Sequence, residues 1–286
     1  MIYLNGEFMP LEEAKISVLD RGFLFGDGVY EVIPVYSRRS FRLEEHLERL
    51  EYSLAGISLV NPFDRGGWRQ RIVQLIALNP WEDQSVYLQI TRGVAKRDHA
   101  FPVGVKPTVF MMSSVLSAPG PELVRDGVNA VTVNDFRWSH CDIKSISLLP
   151  NVLLRQLAVE AHANEAILLR EGWLTEGAAS NIFIVRGGVL CAPPKDHHML
   201  AGITYDVIVE LAHANDLPVL IGPVPEEWIY TADEIWQTSS TREVLAVTRL
   251  NGRPVGSGAP GPMFKRIYSL YQEYKHCVMK GENAVS

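Results

Sequence analysis

The sequence predicts a mixed α/β protein of the α+β type in two domains, a small one at residues 1–120 and a larger one at residues 121–286. Short β-rich runs alternate with amphipathic helical runs along the whole chain. A length of 286 residues with 47% hydrophobic and 21% charged residues allows two cores of ordinary size. The stretch "SAPGPE", which ends at residue 122, is rich in turn-forming residues and is the best linker.

The N-terminal domain is predicted to begin with a hairpin. "MIYLNGEFMP" turns at Asn5 and Gly6, and "GVYEVIPVYS" follows as a strand. "FRLEEHLERLEYSLAGI" is an amphipathic helix because leucines recur at steps of three and four from Leu43 to Leu54, and Arg49 lies beside this stripe. A second helix, "GWRQRIVQLIALNP", precedes the β-rich segments "SVYLQITRGV" and "KPTVFMMSSVL".

The C-terminal domain is predicted to combine strands with three helices. "GVNAVTVNDFRW" predicts a strand, and "PNVLLRQLAVEAHAN" a helix with Pro150 in its first turn and Asn164 as its C-cap. "EAILLREGWLTEGAASNIFIVRGGVLCAPP" predicts a β meander with turns at its Glu-Gly and Gly-Gly pairs. Then follow the helix "GITYDVIVELAHAND", the strand "EIWQTSS", the hairpin "TREVLAVTRLNGRPV" and the helix "PMFKRIYSLYQEYKHCVM".

Charge and composition exclude several classes of protein. A net charge of -6 provides no basic field for a nucleic acid. The N-terminus has no charged segment followed by an apolar one, and no apolar stretch approaches the roughly 18 residues that span a membrane. Cys141, Cys191 and Cys277 are too few and too widely spaced for a disulfide framework or a zinc site. We therefore expect a cytoplasmic protein that binds neither nucleic acid nor membrane.

One lysine is a candidate catalytic residue. In "HCDIKSISLLPN", Lys144 stands between Ile143 and small or apolar residues, at a strand-to-helix junction. A lysine there can simply extend its ammonium to solvent. Alternatively, desolvation lowers its pKa and leaves a free amine that attacks an aldehyde such as that of pyridoxal phosphate (PLP). That cofactor also requires an acid for its ring nitrogen and donors for its phosphate.

Both requirements have candidates downstream, each weak by itself. Glu176 in "LTEGAASNIF" precedes small residues against which a flat ring could lie, although it could equally be a surface acid. For the phosphate, residues 202–204 in "LAGITYDVIVEL" begin a helix, whose free N–H groups suit an anion, and "QTSSTRE" adds residues 239–241. Arg49 could add a positive charge, or it could be an ordinary surface arginine.

Seven motifs stand in one order over nearly the whole chain: "DRGFLFGDGVYEV", "EHLERL", "TRGVAKRDHAFP", "RWSHCDIKSISLLPNVL", "EAILLREGWLTEGAASNIF", "GITYDVI" and "TSSTRE". Together they resemble the signatures of the fold-type IV PLP enzymes, most closely those of the D-amino acid aminotransferase branch. The resemblance implies pyridoxal 5'-phosphate as cofactor, bound between the two domains, and a C-terminal domain that is β-barrel-like with helices.

Carried over position by position, the resemblance also implies roles for single residues. Lys144 would bond to the cofactor and move the proton of the substrate's α-carbon, and Glu176 would hold the pyridine nitrogen. Leu200 would pack against the ring. The phosphate would be held by the remaining cofactor-binding residues, Arg49, Ile203, Thr204, Ser239 and Ser240.

Substrate choice is predicted to depend on "KRDHAFP". Arg97 and His99 are two apart, so in an extended segment they point to one side and can bind a carboxylate. Tyr30 would complete this set. The pair resembles the α-carboxylate trap of the D-amino acid branch, whose loop reaches into the neighbouring subunit, which implies an obligate homodimer.

The resemblance implies a ping-pong transamination: D-alanine or a similar D-amino acid gives its amino group to the cofactor and leaves as a keto acid such as pyruvate, and 2-oxoglutarate then becomes D-glutamate. Ala178 and Ala179 depart from the serines frequent in this branch. The alternatives are a transaminase for (R)-amines or branched-chain amino acids, an aminodeoxychorismate-type lyase, and a non-catalytic PLP-binding protein. The pair His197-His198 lacks a further ligand at helical spacing, so we expect a loop there and no metal.

Overall fold

The computed structural model describes residues 1–280, and these form two compact units. The first unit comprises residues 1–117 and 143–148, and the second comprises residues 118–142 and the chain from 149 onward. The division into domains at residue 120 stays a prediction. The segment 143–148, which the sequence assigned to the C-terminal domain, groups with the first unit.

The first unit contains a six-stranded antiparallel sheet in the order β2-β1-β6-β5-β3-β4. Three helices and one 3-10 turn at Leu11–Glu13 accompany it. Its elements are β1 (Ile2–Leu4), β2 (Glu7–Met9), α1 (Arg21–Phe25), β3 (Gly28–Tyr36), β4 (Arg39–Ser40), α2 (Leu43–Gly56), α3 (Arg65–Ala77), β5 (Gln84–Thr91) and β6 (Thr108–Val115).

The core of the first unit forms where α2 and α3 meet the sheet. Three residues of the predicted stripe of α2, Leu47, Leu50 and Leu54, are each about 1% exposed and pack with β3 and β5 residues, and the fourth, Leu43, is partly buried against them. The predicted hairpin is confirmed, because Asn5 and Gly6 both adopt positive φ between β1 and β2. This core fixes α2 against β3, which sets the positions of the polar residues on both elements.

The second unit contains a nine-stranded mixed sheet in the order β12-β11-β10-β13-β14-β7-β8-β9, with β15 paired to β14. The mixed α/β class is therefore confirmed. Its elements are α4 (Pro121–Asp126), β7 (Val128–Asn134), α5 (Leu149–Glu160), β8 (Glu165–Arg170), β9 (Trp173–Gly177), β10 (Asn181–Arg186), β11 (Val189–Ala192), α6 (Ile203–Ala214), β12 (Val219–Ile221), α7 (Glu226–Tyr230), β13 (Glu234–Ser239), β14 (Glu243–Leu250), β15 (Arg253–Pro254) and α8 (Pro262–Lys280).

The predicted β meander is wrong in its centre. Both hairpins exist, but β9 lies at the sheet edge beside β8, whereas β10 pairs with β13. The chain turns between Gly177 and Ser180, and the strands before and after the turn pair with different neighbours. The Gly177 N–H donates to the Ser180 carbonyl across this turn. The residues between β9 and β10 therefore form a sharp turn of small residues.

The predicted C-cap of α5 is also wrong. The helix ends at Glu160, and His162 takes the positive φ that a helix end often requires. The side chain of Asn164 instead accepts a hydrogen bond from the Asn129 N–H at 3.1 Å. None of the helices within residues 1–280 is both long enough and apolar enough to cross a membrane.

Candidate active site

Lys144 lies beside β3 in the first unit. Its carbonyl accepts a hydrogen bond from the Tyr30 N–H at 3.0 Å, and its own N–H donates to the Ser53 hydroxyl at 3.1 Å. The half-buried side chain places Nζ 4.1 Å from the centre of the Tyr30 ring. Two predicted site residues are thus brought together, since the ring face attracts the ammonium and holds it in place.

Arg49 is buried, so the interpretation as an ordinary surface arginine is wrong. Its Nε donates to Glu31 Oε1 at 2.7 Å and its Nη2 to Glu31 Oε2 at 2.8 Å. His46 Nδ1 lies 2.8 Å from the same Oε2, so Glu31, His46 and Arg49 form one buried group, the Glu31 cluster. Sequence reasoning missed Glu31 and His46, although both stand in quoted motifs that face each other across α2 and β3.

The Glu31 cluster leaves one nitrogen without a partner. Burial lowers the pKa of His46, and the charges of Arg49 and Lys144 lower it further against the opposing effect of Glu31. Its Nε2 is fully buried and has no hydrogen-bond partner among residues 1–280. The lowered pKa favours the neutral imidazole, and Nε2 is the ring nitrogen that lacks a partner among the described residues.

Glu176 is about 5% exposed at the end of β9, so it is not a surface acid. Its Oε1 accepts a 2.5 Å hydrogen bond from Arg137 Nη1. Its Oε2 accepts two hydrogen bonds of 3.2 Å, one from Asn181 Nδ2 and one from the Leu200 N–H. Asn181 also donates to the Leu200 carbonyl at 2.9 Å, which brings two predicted cofactor-binding residues, Glu176 and Leu200, together.

A second carboxylate shares the same arginine. Asp135 accepts bonds of 2.9 Å from Arg137 Nε and Nη2, and Arg170 approaches Asp135 at 3.2 Å. We call Asp135, Arg137, Arg170 and Glu176 the Glu176 cluster. Burial raises the pKa of Glu176 to about 7 although Arg137 opposes the shift, whereas Arg137 lowers that of Asp135 to about 2 despite burial.

The start of α6 presents backbone donors. Gly202 is the N-cap, and no side chain within the described residues caps this helix end. Ile203 and Thr204, both predicted phosphate ligands, are buried in the first turn. A side chain at Gly202 would collide with the Asn181 amide that holds Leu200, so glycine is required there. The N–H groups of a first turn have no partner within the helix, and together with the positive end of the helix they suit an anion.

Ser239 and Ser240 lie where β13 ends, and both are half-buried. The Ser239 hydroxyl accepts a hydrogen bond from the Arg242 N–H at 3.2 Å. The neighbouring Thr238 hydroxyl is buried without a hydrogen-bond partner in the described part of the chain. This strand end therefore offers hydroxyl donors, one of them unsatisfied.

Arg97 and His99 lie exposed in the loop between β5 and β6. The segment bends rather than running as a strand, yet both side chains contact one ring: the Arg97 guanidinium lies 5.4 Å and the His99 ring 5.3 Å from the centre of Phe25. Arg21 donates to the carbonyls of residues 98–100 and holds the loop from inside. The predicted pair is thus brought together by a contact that the sequence did not indicate.

The alanines after Gly177 differ in environment. Ala178 is buried and its carbonyl accepts a hydrogen bond from Asn151, whereas Ala179 is exposed. The hydroxyl of the next residue, Ser180, donates to Glu165 at 2.8 Å. Serine hydroxyls at 178 and 179 are absent, so any contact made by them in relatives is lost here.

The pair His197-His198 does have a third potential ligand nearby. Asp196 lies so close that one ligand atom from each of the three side chains falls within 4.8 Å of the others. Asp196 Oδ1 already accepts a 2.8 Å hydrogen bond from the His198 N–H. That bond makes residues 196–198 a hydrogen-bonded turn, in line with the predicted loop.

Comparison with known proteins agrees with this chemistry. The family profile described as "Amino-transferase class IV" matches residues 28–250. D-alanine aminotransferase of Bacillus licheniformis is 39% identical over 271 residues, 95% of both chains. The same enzyme of Staphylococcus aureus strain COL is 38% identical over 274 residues, covering 96% of this chain and 97% of that protein.

Two solved structures share the fold over nearly the full length. The T.th. branched-chain amino acid aminotransferase with pyridoxamine 5'-phosphate has a TM-score of 0.90 at 28% identity, covering 99% of this chain and 95% of that one. The Escherichia coli branched-chain enzyme has a TM-score of 0.88 at 27% identity, covering 98% and 94%. The chain therefore belongs to the class IV aminotransferases.

Proposed function

We propose that this aminotransferase moves the amino group of a D-amino acid such as D-alanine to a keto acid such as 2-oxoglutarate, with pyridoxal 5'-phosphate as cofactor. The observation that carries this proposal is the identity of 36–39% to curated D-alanine aminotransferases over nearly the whole chain. Class IV aminotransferases use this cofactor, and a structural neighbour contains its pyridoxamine form.

The donor groups fit that cofactor. Its phosphate suits the uncapped start of α6 and the hydroxyls at the end of β13, where Thr238 Oγ1 lacks a hydrogen-bond partner among residues 1–280. Its ring nitrogen suits a buried carboxylate such as Glu176, with Leu200 beside it. We propose Ile203, Thr204, Ser239 and Ser240 as phosphate ligands.

Arg49 would not bind the phosphate mainly through its positive charge. Glu31 balances its charge through two hydrogen bonds, so the pair brings a fixed donor rather than net positive charge. We propose that Arg49 contributes a directed hydrogen bond to the phosphate.

The bound cofactor supplies an aldehyde and a ring that accepts the electrons of the substrate's α-carbon. Lys144 would hold the cofactor through Nζ, and the same Nζ would carry the proton of the substrate's α-carbon. The Tyr30 ring, 4.1 Å away, restrains Nζ near one position, which this proton transfer requires. Glu176 would keep the proton on the ring nitrogen throughout.

We propose Arg97, His99 and Tyr30 as the substrate-binding residues. The guanidinium and the imidazole meet at Phe25, where they can bind a carboxylate together. This contact would select amino acids over amines.

We further propose a cytoplasmic homodimer. The loop that carries Arg97 also exposes large apolar side chains: Phe101 is 60% exposed and Val103 is 99% exposed. Such residues support burial against a second copy. The three cysteines, all within the described residues, are free thiols, which supports a reducing compartment. Sedimentation at several protein concentrations tests the dimer.

A branched-chain aminotransferase is the second candidate. The solved structures with TM-scores of 0.88 to 0.90 favour it, but their identities of 27–28% are below those of the D-alanine enzymes. The deciding experiment is a panel of D- and L-amino acids with 2-oxoglutarate, scored by keto acid production. Turnover of D-alanine supports the proposal, and turnover of L-leucine alone overturns it.

Borohydride reduction followed by mass spectrometry tests the role of Lys144. A cofactor adduct on Lys144 is the expected result. An adduct on the exposed Lys195 instead would overturn the assignment.

A further inference from the structure

Four hydrogen bonds hold the guanidinium of Arg137. Nη1 donates to Glu176 Oε1 at 2.5 Å, Nε and Nη2 donate to Asp135 at 2.9 Å, and Nη2 also donates to the His198 carbonyl at 3.2 Å. The side chain is about 5% exposed. Three elements therefore fix one cation against the carboxylate of Glu176.

Burial disfavours the ionised form of Glu176, and the Arg137 cation opposes that effect. Within residues 1–280, Arg137 is the only basic side chain that pairs with Glu176, since Arg170 reaches Asp135 instead. The other donors to Glu176, Asn181 Nδ2 and the Leu200 N–H, are neutral. The charged neighbour that disfavours the carboxylate is Asp135. Glu176 in turn helps burial to raise the pKa of the neighbouring Cys141 thiol to about 11.

We propose that Arg137 is a positioning residue that keeps Glu176 ionised and thereby keeps the proton on the ring nitrogen of the cofactor. The inference rests on the proposed function, because it assumes that Glu176 faces that nitrogen. It assigns a task to a residue that lies seven positions before Lys144 and opens the motif "RWSHCDIKSISLLPNVL", where the sequence alone indicated no role for it.

The physical reason is the choice between two positions for one proton. A buried acid and a pyridine nitrogen can share it as a neutral pair or as an ion pair, and a low dielectric favours the neutral pair. A guanidinium in direct contact with the carboxylate stabilises the ion pair, because it attracts the carboxylate more strongly than it repels a proton bound beyond it. Without Arg137 the proton moves to Glu176, and the ring becomes a weaker electron acceptor.

The test reads the proton directly. The protein is loaded with pyridoxal phosphate labelled with 15N in the ring, and the nitrogen chemical shift is followed between about pH 5 and 9. In wild type the nitrogen stays protonated to high pH. In Arg137→Met it should lose its proton at a pH lower by about one unit or more, the usual effect of removing one neighbouring charge.

Two further variants make the result specific. Arg170→Met removes a cation from the same cluster but no contact with Glu176, and it should titrate like wild type. Arg137→Met combined with Asp135→Asn removes both members of the buried pair, so it keeps the core neutral if the single variant fails to fold. This double variant should show the same early loss of the proton.

A second measurement separates the outcomes. The affinities of the apoprotein for pyridoxal phosphate and for its 1-deaza analogue, which has no ring nitrogen, are compared by fluorescence. Wild type should prefer the natural cofactor, and the preference should fall roughly tenfold without Arg137, as for one charge-assisted hydrogen bond. Unchanged preference and titration in the folded Arg137 variants would overturn this inference alone. Failure of wild type to bind the cofactor would overturn the proposed function with it.

Discussion

Each unit buries a glutamate against an arginine, yet the two carboxylates differ in acidity. In the first unit, Arg49 and His46 lower the pKa of Glu31 far below its usual range, although burial raises it. In the second, burial raises the pKa of Glu176 to about 7 in spite of Arg137. The same residue pair at similar burial therefore gives opposite shifts.

The difference comes from how many hydrogen bonds each glutamate accepts from its arginine. Arg49 gives two nitrogens to Glu31, and His46 adds a third hydrogen bond. Arg137 gives one nitrogen to Glu176 and two to Asp135. When an arginine is shared in this way, the carboxylate that receives fewer hydrogen bonds from it has a pKa close to neutral pH. Its protonation can then change when a group binds beside it. The surroundings of Glu31 keep it ionised, whereas the protonation state of Glu176 can change.

The largest effect that we expect comes from Glu176→Gln. An uncharged amide cannot keep the ring nitrogen protonated, so turnover with D-alanine should fall on the order of a hundredfold or more. Stopped-flow kinetics with the loaded enzyme measure this loss, and borohydride labelling of Lys144 shows that the cofactor remains bound.

Glu234→Gln is the matched control. Glu234 is also a buried glutamate of the second unit, but it caps α8 through the Met263 and Phe264 N–H groups and contacts no arginine within residues 1–280. Its turnover should stay near wild type. Equal losses in the two variants would show that any buried carboxylate in this unit matters for folding rather than for chemistry.

In the first unit, Glu31→Gln should act on stability instead. The change leaves the buried Arg49 charge poorly balanced, which typically costs about 3 to 5 kcal/mol of unfolding free energy. Urea unfolding measures it. Glu51→Gln breaks a similar two-bond pair with Arg65 that is more than one third exposed, and should cost less than about 1 kcal/mol. A small loss for Glu31→Gln would contradict the assignment of that cluster to stability.

Motifs along the chain indicate candidate residues but not the partners that those residues contact. Resemblance singled out Lys144, Glu176 and Arg49, because each stands in a recognisable local pattern. Their partners were missed because Arg137 meets Glu176 across 39 positions, and a pattern along the chain does not tell which arginine reaches which acid. A charged residue inside an apolar run, such as Glu31 in "GVYEVIPV", was the available signal for burial with a partner.

The same limit explains the strand error. Local propensity identified β9 and β10 and their hairpin turns, but the choice of β13 over β9 as the partner of β10 depends on contacts roughly 50 residues apart. Helix α2 could be predicted in detail, because its stripe of leucines is a local property.

A smaller catalytic effect is expected where the arginine is exposed. Arg97→Ala should raise KM for D-alanine and lower kcat/KM roughly ten- to over a hundredfold, the loss of one hydrogen bond to a charged group. Steady-state kinetics measure it, with Lys96→Ala as the control because Lys96 is a neighbouring cation in the same loop. Unaltered kinetics in Arg97→Ala would favour an amine or lyase activity instead.

The comparison can also be tested without any cofactor. The pKa of Glu176 is raised to about 7 in the folded apoprotein from an ordinary value of 4.5, so the folded state binds its proton more tightly than the unfolded state does. The associated stability is fully present below about pH 4.5 and is lost as the pH rises through about 7. This group changes the free energy of unfolding by at most about 1.4 kcal/mol per pH unit.

Glu176→Gln removes the titrating group. As the pH rises from about 5 to 8, the stability of the apoprotein variant should therefore increase relative to that of wild type, which urea unfolding across this range measures. The pKa of Glu31 is shifted in the opposite direction, so Glu31 stays ionised over the whole of this range. Glu31→Gln should therefore be less stable than wild type by a constant amount there. If the difference between Glu176→Gln and wild type also stays constant, Glu176 is as firmly ionised as Glu31, and the shared arginine does not distinguish the two clusters.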